Sequence, residues 1–217
     1  KHYTKMKRYF HEELNDLKNK LILLGEKSNE IARLAIDGLL EDDLEKVHKA
    51  AGMDDYLDDL EREISYACIR YITLISPVSS DLRLLFVALK ASRDFERIGD
   101  EAHSITQRSS CIMTADGKLA EQFNLREMGN LACQLVQDAV SCFVEEDLDK
   151  AFAILKKDRE IDTIHQKHFE SLADPSISTK LSDPTRFNTV LISKSIERIG
   201  DHAKNIAREV IFLLSKD

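Results

Sequence analysis

The chain has 217 residues, 43% of them hydrophobic, which is enough for one large or two small domains with a sizeable core. Only three prolines and seven glycines occur, with no tryptophan, while Leu, Ala, Glu, Lys and Asp abound, so an all-α protein is favoured over a β-rich one. Thirty-one basic residues against 39 acidic ones give a net charge of −8 with no basic stripe, which argues against nucleic acid as a partner.

Hydrophobic periodicity predicts six helices. The first spans about 5–41, with a seam of Leu14, Leu17, Leu21, Leu24, Ser28, Ile31 and Ala35. Asp42 and Asp43 then offer a new helix start. The second helix spans about 43–75 and stops before Pro77; "SPVSSDLR" supplies the turn and cap for a third over about 80–109. "TADGK" at 114–118 reads as a turn and as the boundary between two halves, 1–113 and 114–217. Three more helices follow, over about 119–145, 147–173 and 184–215, the last two separated by "ADPSISTKLSDP".

The halves repeat. "DLEKV" (43–47) matches "DLDKA" (147–151) at an offset of 104, and "ERIGDEAHSI" (96–105) matches "ERIGDHAKNI" (197–206) at an offset of 101. Short connections make neighbouring helices antiparallel. The expected fold is therefore two tandem, pseudo-symmetric three-helix bundles.

Each repeat carries two acidic pairs at i, i+4. They are Asp54 with Asp58 and Glu96 with Asp100, then Asp158 with Asp162 and Glu197 with Asp201. At roughly 100° per residue each pair lies on one face, one turn apart. That face continues an apolar line: Leu85 and Leu89 lead to Glu96, Val47 and Ala51 lead to Asp54, and Ile69 and Ile72 follow Asp58. In the second half the lines run Ala151, Leu155, Asp158, Asp162, Phe169 and Phe187, Val190, Glu197, Asp201. Like charges at this spacing cost a helix about 0.2–0.5 kcal/mol, and an unpaired buried carboxylate costs several kcal/mol, so a counter-charge is expected. Clustered carboxylates are hard oxygen donors suited to divalent or trivalent ions, magnesium and manganese among them, and four per repeat can hold more than one ion. Gly99 and Gly200, each between the members of a pair, would give clearance to a neighbouring backbone or an ion cluster, at a helix cost of about 1 kcal/mol each.

Competing readings stand beside this one. In a chain that is 32% charged, acidic pairs also arise on solvated faces. Arg93, Arg97, Lys194 and Arg198 flank the glutamates and could pair with them in a metal-free helical scaffold. A metal-dependent hydrolase or redox enzyme would need a general base, and no catalytic His or Lys accompanies the acids in both repeats. His103 lies a turn beyond Asp100, but its repeat counterpart is Lys204; His165 lies a turn beyond Asp162, and its counterpart is Glu61. Either could extend a site in one repeat alone. Tyr66, Tyr71, Phe86 and Phe187 are expected in the core. No GxGxxG, P-loop, GxSxG or HExxH occurs, and "EKVH" (Glu45, His48) is matched in the repeat by "DKAF", against a ferritin-like di-iron centre.

Cys68, Cys111, Cys133 and Cys142 show no CxxC spacing and read as small buried hydrophobes in a reducing compartment. No apolar run approaches the roughly 18–20 residues that span a bilayer, and no signal-peptide core is present. A soluble, cytoplasmic protein is expected, peripheral to the membrane only through partners.

A D-x-x-[IL]-D stretch on the second helix and "ERIGD" on the third, present in each repeat, resemble the PhoU family of phosphate-signalling proteins over essentially the whole chain. "SPVSSDLRLL" (76–85) is similar to that family's turn into its third helix, while "LSDPTRFNTV" departs from it. The resemblance implies a cytoplasmic, non-enzymatic repressor of the phosphate-starvation response. It implies a bridge between the ATPase subunit of the phosphate ABC transporter and a sensor histidine kinase. It further implies homodimers, and multinuclear clusters of iron or zinc at the acidic motifs.

Overall fold

The computed structural model describes residues 2–115, 124–173 and 183–215. These form seven helices: α1 (His2–Glu41), α2 (Leu44–Ala51), α3 (Asp54–Ile75), α4 (Ser79–Ala115), α5 (Leu125–Glu145), α6 (Leu148–Ala173) and α7 (Asp183–Leu214). No strand occurs among the described residues, as the composition predicts. Most of "TADGK" and most of "ADPSISTKLSDP" lie outside them.

Helix ends follow local chemistry. Both first helices end in a left-handed residue, Asp42 (φ 57°) after α1 and Glu146 (φ 54°) after α5. The next amides, of Asp43 and Asp147, turn back to the carbonyls of Gly38 and Cys142 at 2.8 and 3.1 Å. Asp43 then caps α2, its Oδ1 accepting from the amides of Glu45 and Lys46; Asp147 does the same for α6 through Lys150. The duplication thus extends to the hydrogen bonds of its corners.

Three boundaries differ from expectation, the simplest being α5, which starts at Leu125 after a turn at Asn124 rather than at about 119. The second helix, predicted unbroken over 43–75, is two helices. Gly52, a poor helix former, closes α2, and Asp54 and Asp55 open α3 with acids suited to a helix N-terminus. The equivalents of Gly52 and Met53 in α6 are Lys156 and Lys157, good helix formers, and that helix continues. The third helix runs on to Ala115, beyond the predicted 109, because Ile112 is still buried.

The repeats share one core. α4 and α7 pack against each other at the centre, and α1 also packs against α5. The α2–α3 and α6 arms each pack against helices of their own repeat. Leu21, Leu24, Ile31, Leu85, Ile98, Leu125, Leu135 and Ile154 are fully buried in one cluster. Tyr71 is buried as expected, but Tyr66 (67% exposed), Phe86 (54%) and Phe187 (65%) are not core residues. The core face of α3 is the stripe Leu57, Leu60, Ile64, Cys68, Tyr71, which leaves Tyr66, Ile69 and Ile72 outside it.

Candidate metal centres

Each acidic cluster lies along the groove where a second-position arm crosses a third helix, α3 on α4 and α6 on α7. Leu57 and Ile161, repeat equivalents, fill the floor of these grooves. A Cβ built on Gly99 would stand 2.4 Å from Leu57 Cδ1, and one on Gly200 would stand 2.9 Å from Ile161 Cδ1. The glycines therefore admit the facing apolar side chain, rather than a backbone or ion cluster as the sequence suggested. They also bring the aspartates close: Asp54 Oδ1 lies 3.7 Å from the Gly99 Cβ position and Asp158 Oδ1 lies 3.3 Å from that of Gly200.

The acids line the groove rim more than the core seam. Only Asp158 is fully buried (2% exposed); Asp162 is exposed and the other six are partly buried. Asp54 and Asp58 sit on the stripe beside Leu57 and Ile64, about 100° from the core direction. The expected continuation through Ile69, Ile72, Phe169 and Phe187 fails for the same reason, since all four are exposed.

Within each repeat the acids lie close enough to act on one another, and among the described residues only the second gathers three carboxylate oxygens in one place. In the first, burial raises the Asp54 carboxyl above its ordinary value, His103 opposes that, and Asp100 and Asp58 reinforce it. Burial likewise raises Glu96, with Asp100 and Asp58 adding to the effect against Arg97 and Arg93. Arg97 Nη1 donates to Asp100 Oδ2 at 2.6 Å, and His103 Nδ1 lies 3.7 Å from Asp54 Oδ2. In the second repeat, oxygens of Asp158, Asp162 and Asp201 lie within 4.8 Å of one another. Burial raises Asp158 while its bond from Lys204 lowers it, and burial raises Asp162, with Asp201 and Glu197 adding to the rise. Lys204 Nζ donates to Asp158 Oδ2 and, at 2.5 Å, to Asp201 Oδ1; Lys194 Nζ lies 2.6 Å from Glu197.

These donor sets fit a hard cation. Glu96 Oε2, 3.5 Å from Arg97 Nε, and Asp158 Oδ1 are buried oxygens with no hydrogen-bond partner, a costly state that an ion would relieve. Sequence reasoning noted Lys204 only as the counterpart of His103; its i, i+3 spacing from Asp201 was the available signal. It also missed a buried polar group beside the second cluster, where Ser193 Oγ meets Nδ1 of His165 at 2.9 Å and of His168 at 2.8 Å. One hydroxyl hydrogen cannot serve both rings, so at least one imidazole donates. Burial holds both histidines below their ordinary value.

A family profile described as the PhoU domain matches residues 21–109 and again 125–210. The chain belongs to the PhoU family. Among PhoU relatives, a phosphate-specific transport system accessory protein PhoU homolog of Pseudomonas aeruginosa is 30% identical, covering 94% of this chain and 85% of that protein. Homolog 1 of Thermotoga maritima is 32% identical, covering 92% and 84%. The crystal structure of PhoU from P. aeruginosa superposes with a TM-score of 0.90 at 29% identity, over 94% of this chain and 98% of that one. The phosphate transport system regulatory protein PhoU from Streptococcus pneumoniae superposes at 0.84 with 26% identity, over 94% and 96%. The two profile matches coincide with the two repeats that carry the acidic grooves.

Proposed function

We propose that this chain is a non-enzymatic accessory regulator of phosphate transport that carries metal at its carboxylate grooves and represses phosphate uptake and the phosphate-starvation response. It would act in the cytoplasm as a homodimer, contacting the ATPase subunit of a phosphate ABC transporter, a sensor histidine kinase, or both. Membership of the PhoU family supports the phosphate role, since the relatives are described as accessory and regulatory proteins of phosphate transport. No helix among the described residues is long and apolar enough to cross a membrane, so a membrane role would pass through partners.

The observations that carry the metal reading are the gathering of Asp158, Asp162 and Asp201 within 4.8 Å and the buried oxygens of Glu96 and Asp158 left without hydrogen bonds. Asp54, Asp58, Glu96 and Asp100 would hold ions in the first repeat; Asp158, Asp162, Glu197 and Asp201 are the equivalent set. Iron or zinc there would neutralise the cluster and tie each arm to its third helix. A regulator of this kind responds by a shift between conformations rather than by turnover. The test is elemental analysis of protein purified without chelator beside Glu96→Ala/Asp100→Ala. The double variant should lose the metal bound in the first repeat; unchanged stoichiometry would contradict the site. Binding of the transporter ATPase and the kinase domain to the loaded protein, by calorimetry, tests the adaptor role.

A further inference from the structure

The two carboxylate clusters carry equivalent acids but differ in the side chains around them, above all at one position. Aligned at the offset of 101, His103 in the first repeat corresponds to Lys204 in the second. Lys204 lies inside its cluster, its side chain only 17% exposed, and its ammonium bridges Asp158 and Asp201, two of the three carboxylates gathered there. Asp158 is 2% exposed, and a carboxylate so placed needs a cation. Lys204 supplies one covalently tethered to the same fold.

The first repeat is built otherwise. His103 offers an imidazole nitrogen, Nδ1, that has no hydrogen bond, while its Nε2 meets the Gln107 amide at 2.9 Å. A neutral imidazole is a metal donor, whereas a protonated lysine is a competitor for the same oxygens. Arg97 does reach Asp100, but from a side chain 42% exposed, and its counterpart Arg198 turns away to Glu101 at 3.2 Å. Arg97 Nε also lies 3.5 Å from Glu96 Oε2, while Asp58 has no ion-pair partner among the described residues and Asp54 has only His103.

We propose that Lys204 is the built-in counter-ion of the second cluster and keeps divalent metal out of it, so that metal taken up by this chain goes to the first repeat. The proposal rests on the metal reading above and narrows it to one repeat. An ion could enter the second groove only by displacing the ammonium from both Asp158 and Asp201.

The test uses the full chain stripped with chelator, dialysed against Zn2+ and assayed by elemental analysis and thermal melting. The wild type should lose its zinc with Glu96→Ala/Asp100→Ala and keep it with Asp158→Asn/Asp201→Asn. Lys204→His, which installs the first repeat's residue, should roughly double the bound zinc. Metal-free Lys204→His should melt below wild type and be restored by Zn2+, which a lysine with a merely structural role would not show. Unchanged stoichiometry and no zinc-dependent recovery in Lys204→His would overturn the proposal, as would equal zinc loss from the two double variants. Zinc on Lys204→His but none on wild type would sink the first-repeat metal reading and leave Lys204's role standing. Zinc on both repeats of the wild type would do the reverse.

Discussion

At the scale of single residues, the molecule holds two kinds of misfit with water, and they titrate in opposite senses. Asp54, Glu96, Asp158 and Asp162 have carboxyls raised by burial, so the native state takes up protons more readily than the unfolded chain. Their protonation adds to stability as pH falls toward their ordinary values near 4. His165 and His168, sharing Ser193, are lowered, so the unfolded chain takes up the protons and stability is lost as pH falls through about 6.5. In metal-free protein, urea unfolding should therefore show lower stability at pH 5.5 than at pH 7.5. His165→Gln/His168→Gln should flatten that difference; an unchanged pH difference in the variant would contradict the assignment. The pair His165 and His168 was only half legible beforehand, because nothing in the sequence places Ser193, on a different helix, between the two rings.

At the scale of helices, the glycines set how closely arm and third helix approach. Gly99→Ala removes an intrinsic helix penalty of about 1 kcal/mol, so on propensity alone it should stabilise α4. Its Cβ would instead strike Leu57 Cδ1, on a side chain with no exposed surface and little room to turn. Overpacking of a filled core costs about 1–3 kcal/mol, so the net effect should be a loss of up to about 2 kcal/mol in denaturant unfolding. Adding Leu57→Ala should make the Gly99→Ala step neutral or favourable, and additive losses would contradict the contact. The sequence exposed the glycine and both acids of the motif, and it placed α1, α6 and α7 and the end of α5 closely. It did not expose what the glycine admits, since Leu57 comes from another helix. Nor did it expose the break at Gly52, because the apolar stripe resumes in phase at Leu57 and periodicity alone reads straight through. The exposed Phe86, Phe187 and Tyr66 were misread for a related reason: apolar spacing marks a stripe, and only packing decides which stripe faces inward.

At the scale of the whole molecule, the duplication is visible in sequence, but the pairing across it is not. α4 packs on α7 and α1 on α5, so each repeat completes the core of the other, and a single cluster runs from Leu14 to Val210. Calorimetric unfolding of the metal-free chain should accordingly show one cooperative transition; two separated transitions would show repeats that fold alone. That shared core also fixes the two carboxylate grooves in one frame, with His103 in one where Lys204 stands in the other. The proposed role turns on whether cations other than side chains reside in those grooves. Anomalous diffraction from crystals of protein never exposed to chelator, recorded on both sides of the iron and zinc edges, addresses this most directly. An anomalous peak is expected among Asp54, Asp58, Glu96 and Asp100, with the Lys204 ammonium between Asp158 and Asp201. A first-repeat groove without a peak, closed by arginine pairs alone, would contradict it.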